Sequence, residues 1–122
     1  DNTIIFYNEA EKSDILNFKK KKIKIIKSKI DIQKKFDLLT ILKKLYDLGC
    51  RNILVEGGND LTKDFLEKKI FNCFYLFKSP KNLSKFREFK EFNGFNILKK
   101  NYKTKTKIKS NFGKDIITLY KN

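Results

Sequence analysis

The chain has no histidine, no methionine and no tryptophan, and only two cysteines and one proline among its 122 residues. Without histidine, every zinc site that uses an imidazole is excluded, as is a histidine general base. The cysteines, Cys50 and Cys73, form no CxxC pair, so a closed thiolate zinc site is not expected and both read as small packing residues. No apolar run approaches the ~18 residues of a membrane helix. No secretory leader is recognisable, and a reducing cytoplasm is the expected setting. The missing methionine and the early strand-like run at residues 3–7 suggest a piece of a longer or processed protein.

Negative charge is also scarce. The 14 acidic residues stand against 29 basic ones, giving a net charge of +15 and a pI near 9.8, and 27 of the 29 are lysine. Such a chain attracts polyanions non-specifically at low salt. Base-edge recognition favours arginine, and only Arg51 and Arg87 are present. The lysines are spread along the whole chain among Ile, Asn and Phe, as an A/T-rich coding sequence would produce. No specific nucleic-acid partner is expected, although a basic nucleic-acid-binding module remains the alternative reading.

The remaining composition, 40% apolar, suits one domain over residues 1–122. Residues 3–7 and 23–27 read as short strands separated by a weak helix over 9–18, with Ile15, Leu16 and Phe18 as its apolar side. Lysines 19–22 read as a solvated helix end and turn. A stronger helix follows, with Phe36, Leu39, Leu42 and Tyr46 on one stripe and Leu38, Ile41 and Leu45 widening it. Gly49 supplies its stop. Residues 52–56 read as a third strand, and Asn59 or Asp60 as the cap of a helix reaching about Lys68, with Leu61, Phe65 and Leu66 inward. Residues 73–78 read as a fourth strand, closed by Ser79-Pro80. This alternation predicts an α/β fold with a mostly parallel sheet flanked by helices. Residues 81–95 have no clean period and read as a short helix and a loop.

From Tyr102 the pattern becomes strict alternation. Tyr102, Thr104, Thr106 and Ile108 face one way, and Lys103, Lys105, Lys107 and Lys109 the other. A turn at 111–113 and a partner strand over 115–120 complete a C-terminal antiparallel hairpin. The lysine face reads either as a phosphate comb or as solvated protection of a sheet.

The segment richest in chemistry is Asn52-Ile53-Leu54-Val55-Glu56-Gly57-Gly58-Asn59-Asp60. Ligands in open α/β sheets bind beyond the carboxyl ends of strands, which is where Gly57 and Gly58 fall. The following helix start offers unpaired N–H groups and the positive end of a dipole. The run is neither GxGxxG nor a P-loop, and a tight ligand-free turn remains open. Glu56, at the end of an apolar strand, needs hydrogen-bond partners. It can accept N–H bonds from a nucleobase-like ring or cap nearby backbone amides. Lys63 and Asp64, one turn on, can touch a ligand or face solvent.

Residues 49–80 resemble the reductase domain of the bifunctional riboflavin-biosynthesis deaminase/reductase, a relative of dihydrofolate reductase. The resemblance rests on Leu45, Leu48 and Gly49, on Ile53-Leu54-Val55-Glu56-Gly57-Gly58, on Leu61, Phe65 and Leu66, and on Ser79-Pro80, all in order. Gly113-Lys114-Asp115 before the last strand also matches the family's carboxyl end. Asn72 stands where the family usually has aspartate, and Lys81-Asn82-Leu83-Ser84 replaces its Leu-Gly segment. The resemblance implies a dihydrofolate-reductase-like fold lacking its N-terminal side. It also implies NADPH-dependent reduction of a phosphoribosylaminopyrimidine without a metal. Glu56 would bind the substrate, and Gly57, Gly58, Asn59, Asp60, Leu61, Thr62, Lys63 and Asp64 would bind NADPH. A cis peptide is implied between the two glycines. The zinc-deaminase motifs are absent here, and the catalytic residues would lie upstream, so the isolated 122 residues are expected to be inactive. A homodimer is expected because a partial sheet exposes edges.

Overall fold

The computed structural model describes residues 3–81, 92, 94–109 and 113–122. It divides into two compact units, Asp1–Ile53 and Leu54–Asn122.

In the first unit, β1 (Ile4–Tyr7) and β2 (Lys24–Lys27) pair in parallel, with Ile5 opposite Ile25 and Phe6 opposite Ile26. A parallel pair requires a crossover, and α1 (Lys12–Lys20) supplies it. Asp14 in its first turn and Lys19 and Lys20 in its last complement the helix dipole. Leu16, expected inward, is exposed, so the half-buried side is Ile15 and Phe18, three positions apart. Lys22 then takes a left-handed conformation and turns the chain into β2.

The second helix, α2 (Leu38–Asp47), is capped by Asp37, whose carboxylate accepts from Leu39 N at 3.2 Å and from Thr40 Oγ1 at 2.6 Å. The expected apolar stripe is rotated. Leu38 is buried and Ile41, Leu42 and Leu45 are half-buried, whereas Leu39 and Tyr46 are exposed. Phe36 lies before the helix, in an isolated bridge with Ile30. Tyr46 serves the helix end instead. The Arg51 guanidinium lies 4.0 Å from its ring centroid and donates to its carbonyl at 2.7 Å. Gly49, at φ +92°, provides the expected left-handed stop.

The second unit is built on an antiparallel sheet of β3 (Cys73–Lys78), β5 (Ile116–Lys121) and β4 (Lys105–Ile108), in the order β3-β5-β4. Its helices are α3 (Asn59–Glu67) and α4 (Phe95–Asn101). Leu66 from α3 and Leu98 from α4 are fully buried with Tyr102 and Tyr120, and Phe71, Phe74, Leu76, Phe92 and Ile97 pack around them. Tyr102 donates its hydroxyl to the Leu66 carbonyl at 2.7 Å, and burial raises its pKa above the ordinary tyrosine value. Lys69, at φ 54°, ends α3, and Asn122 Nδ2 holds its carbonyl at 2.7 Å.

The α/β character and the antiparallel C-terminal strands are as expected, but several details differ. Residues 52–56 form no strand, and Ile53, Leu54 and Val55 are 44%, 83% and 39% exposed. A strand is secured by its ladder, and these residues have none among the described strands. β3 pairs antiparallel with β5 over six residues instead of joining the parallel pair, so parallel pairing is confined to β1 and β2. The C-terminal ladder covers only 105–108 of the alternating run, because Tyr102 is drawn into the core as the cap of α4. Antiparallel partners share a face, so Lys105 lies on the side of Tyr120 and Phe74, and Ile108 on the side of Ile117 and Phe77. All four β4 residues are exposed, which leaves lysine solvated at an edge strand. α4 begins only at Phe95, the last residue of the 81–95 stretch in which a short helix is expected. Residues 82–91 and 93 of that stretch, and residues 111 and 112 of the expected turn at 111–113, lie outside the described residues. None of the described helices is long and apolar enough to cross a membrane.

Candidate functional site

The candidate residues Glu56, Gly57, Gly58, Asn59, Asp60, Leu61, Thr62, Lys63 and Asp64 form one continuous segment, irregular at first and then running into the first turns of α3. Glu56 is exposed rather than buried at a strand end, because the strand that would have enclosed it has no ladder. Its carboxylate therefore faces water.

The two glycines do different things. A Cβ on Gly57 would lie 2.6 Å from Leu61 Cδ2 and 3.2 Å from Leu61 Cβ, so any side chain there must displace Leu61. Gly58 has nothing within 4 Å of its would-be Cβ and sits at φ −68°, ψ 177°, which any residue can adopt. Among the described residues nothing demands glycine at position 58; close approach by a ligand would. No peptide bond between described residues is cis, so the implied cis link between Gly57 and Gly58 is corrected to trans. The extended Gly58 backbone carries the chain into α3 without it.

The helix cap also shifts by one residue. Gly58 is the N-cap, and Asn59 is the first helical residue. Gly58 O accepts from Thr62 N at 3.1 Å, and Thr62 Oγ1 donates to Gly57 O at 3.4 Å. Gly58 has no side chain with which to cap the helix start, and the first N–H groups of a helix have no partner within the helix itself. That is suitable for an anionic group such as a dinucleotide pyrophosphate. Asp60 in the first turn opposes a bound anion electrostatically, so the fit lies in the backbone and not in that side chain. Lys63 is engaged with Glu67 at 3.6 Å in a half-exposed i,i+4 pair of small energetic weight. The Leu61 contact with Gly57 and the Thr62 bond to it were not legible from spacing, since both depend on the trajectory of the turn. A glycine followed by Leu at i+4 is the one available hint.

Comparison with known proteins places this geometry in context. The family described as the RibD C-terminal domain matches residues 1–117. The riboflavin biosynthesis protein RibD of Aquifex aeolicus (strain VF5) is 30% identical over 118 residues, which is 97% of this chain. The chain spans 31% of that protein's length. The match runs from β1 to the first two residues of β5, with the Glu-Gly-Gly turn inside it, and the chain belongs to the RibD C-terminal domain family.

Proposed function

We propose that the chain is the carboxyl-terminal part of a reductase of riboflavin biosynthesis. It would act in the NADPH-dependent reduction of 5-amino-6-(5-phosphoribosylamino)uracil to its ribitylamino form. Membership of the family and the likeness to a riboflavin biosynthesis protein support the reaction class. The observation that carries the cofactor assignment is Gly58. It has open space where a side chain would be and stands at a helix start without a side-chain cap, though the fold does not require glycine there.

In this reading NADPH supplies the hydride. Residues Gly57 to Asp64 would hold it, its phosphates at the N–H groups ahead of Thr62, whose own N–H is bonded to Gly58 O. The exposed Glu56 carboxylate accepts hydrogen bonds from the N–H edge of the pyrimidine, which orients the sugar. Residues 1–122 then belong to a single reductase domain in a cytoplasmic homodimer. Tyr75 and Phe77, 51% and 62% exposed on the outer face of β3, are consistent with such association. Glu56→Gln in the full-length enzyme removes the charge at nearly constant shape. We expect kcat/KM to fall at least about tenfold, a loss of ~1.4 kcal/mol of transition-state stabilisation, with an unchanged circular dichroism spectrum. Unchanged turnover and substrate affinity would remove Glu56 from the site.

A further inference from the structure

Two neighbouring residues of α3 attach to the glycine turn by different chemistries. The Leu61 side chain lies against the Gly57 α-carbon, so close that a Cβ there would be 2.6 Å from Leu61 Cδ2. Thr62 spends both of its donors on the turn. Its N–H donates to Gly58 O at 3.1 Å, and its hydroxyl donates to Gly57 O at 3.4 Å. The hydroxyl bond is long for its type, and the packing of Leu61 on the same glycine adds a second hold.

The peptide between two glycines is the one that most needs holding. No Cβ on either side resists its rotation. Turning the peptide plane over would exchange the places of the Gly57 carbonyl and the Gly58 N–H. It would also carry Gly58 from φ −68° to positive φ, a region that glycine enters freely. Open space around the Gly58 α-carbon puts nothing in the way. The peptide is trans, so its C=O and N–H point in opposite directions. With Gly57 O held toward Thr62, the Gly58 N–H points away from that side chain. Among the described residues it donates no hydrogen bond, which leaves it for a ligand. In the turned-over state a carbonyl oxygen would stand in its place and repel an anion.

We propose that Thr62 and Leu61 are positioning residues, which act through Gly57 to keep the Gly57–Gly58 peptide oriented with its N–H toward the cofactor. This role rests on the assignment of NADPH to the glycine turn and deepens it, because it names what makes the turn a donor. A ligand that meets the peptide in only one of two orientations binds more weakly in proportion to the time spent in the other.

Thr62→Val, which deletes the hydroxyl at nearly constant shape, is to be compared with Thr62→Ser, which keeps it, in the full-length enzyme. Equilibrium binding of NADPH, followed by its fluorescence, should weaken about threefold to tenfold in Thr62→Val and stay within about twofold of the parent in Thr62→Ser. In steady-state kinetics the loss should fall on KM for NADPH more than on kcat, since turnover proceeds from complexes in which the peptide is already oriented. Hydrogen exchange followed by mass spectrometry reads the latch without cofactor. Amides at the start of α3 should exchange faster in Thr62→Val than in the parent or Thr62→Ser, with those of the β3–β5 ladder unchanged. If NADPH protects residues 56–64 of the parent yet binds Thr62→Val as tightly, or binds Thr62→Ser as weakly as Thr62→Val, the positioning role is overturned and the cofactor assignment stands. If NADPH leaves exchange over residues 56–64 unchanged, both are overturned.

Discussion

Two short apolar runs, Ile53-Leu54-Val55 and Phe74-Tyr75-Leu76-Phe77, are almost equivalent as strings of residues. In the structure they part completely. The second is held on one side by a six-residue ladder with β5, and Phe74 and Leu76 pack on the core around Leu66 and Leu98. The first forms no ladder with any described strand, and Leu54 is 83% exposed. Strand propensity is the same kind of signal in both; what differs is whether a partner meets it. The unladdered run is also the one that leads directly into Glu56 and the glycine turn, so the candidate site hangs on the less secured of the two.

The comparison can be broken or sharpened by substitution. The largest effect is expected on the packed side. Leu66→Ala removes a fully buried side chain and should cost about 2–5 kcal/mol in chemical denaturation. A cost below that range would mean that the second unit repacks easily. Next, Gly57→Ala forces a methyl group against Leu61 and should cost about 1–3 kcal/mol. Gly58→Ala should stay within about 0.5 kcal/mol of the parent, since its Cβ enters open space. Equal effects at the two glycines would refute their division of roles, and measured NADPH affinity should move most for Gly58→Ala.

Tyr102→Phe deletes the bond to the Leu66 carbonyl and should cost about 0.5–1.5 kcal/mol. It also has a pH signature. The folded state raises the Tyr102 pKa by burial, so the folded protein holds this proton more tightly than the unfolded chain. Stability from the group is therefore full below the unfolded value of about 10 and is lost as pH rises through the folded value. Alkaline denaturation followed by tyrosine absorbance should show this loss in the parent and lack it in Tyr102→Phe. The smallest effect belongs to the unladdered run. Leu54→Ser should change stability by no more than about 0.5 kcal/mol, and the amides of residues 53–55 should exchange with solvent faster than those bonded in the β3 ladder. A large cost at Leu54 would show that the run is packed in solution and erase the contrast.

Much of this architecture was legible because it depends on local chemistry. The βαβ start, the left-handed Gly49 and the paired C-terminal strands each follow from residues close in sequence. The helix after the two glycines was found for the same reason, though its cap moved from Asn59 or Asp60 to Gly58. Long-range choices were less legible. Nothing in residues 73–78 alone says that their partner is antiparallel and more than forty residues later. The α2 stripe was misplaced by one position because Tyr46 is apolar enough to count as core but is used by Arg51 at the helix end. The candidate site residues come from the strand-to-helix spacing around Gly57 and Gly58 and from the family resemblance. The different reasons for the two glycines required coordinates, because one contact made by Leu61 separates them.

The strand order of the second unit bears on how the molecule is made. β5 lies between β3 and β4, yet it is the last of the three in sequence. β3 and β4 have no ladder with each other, and Phe74 lacks its ring contact with Tyr120 until residues 116–121 are available. Closing that long loop is an entropic step that cannot be shared out among earlier local contacts. The sheet of the second unit therefore cannot close before β5 is available, and a chain lacking residues 116–121 would present two unpaired strands to its neighbours.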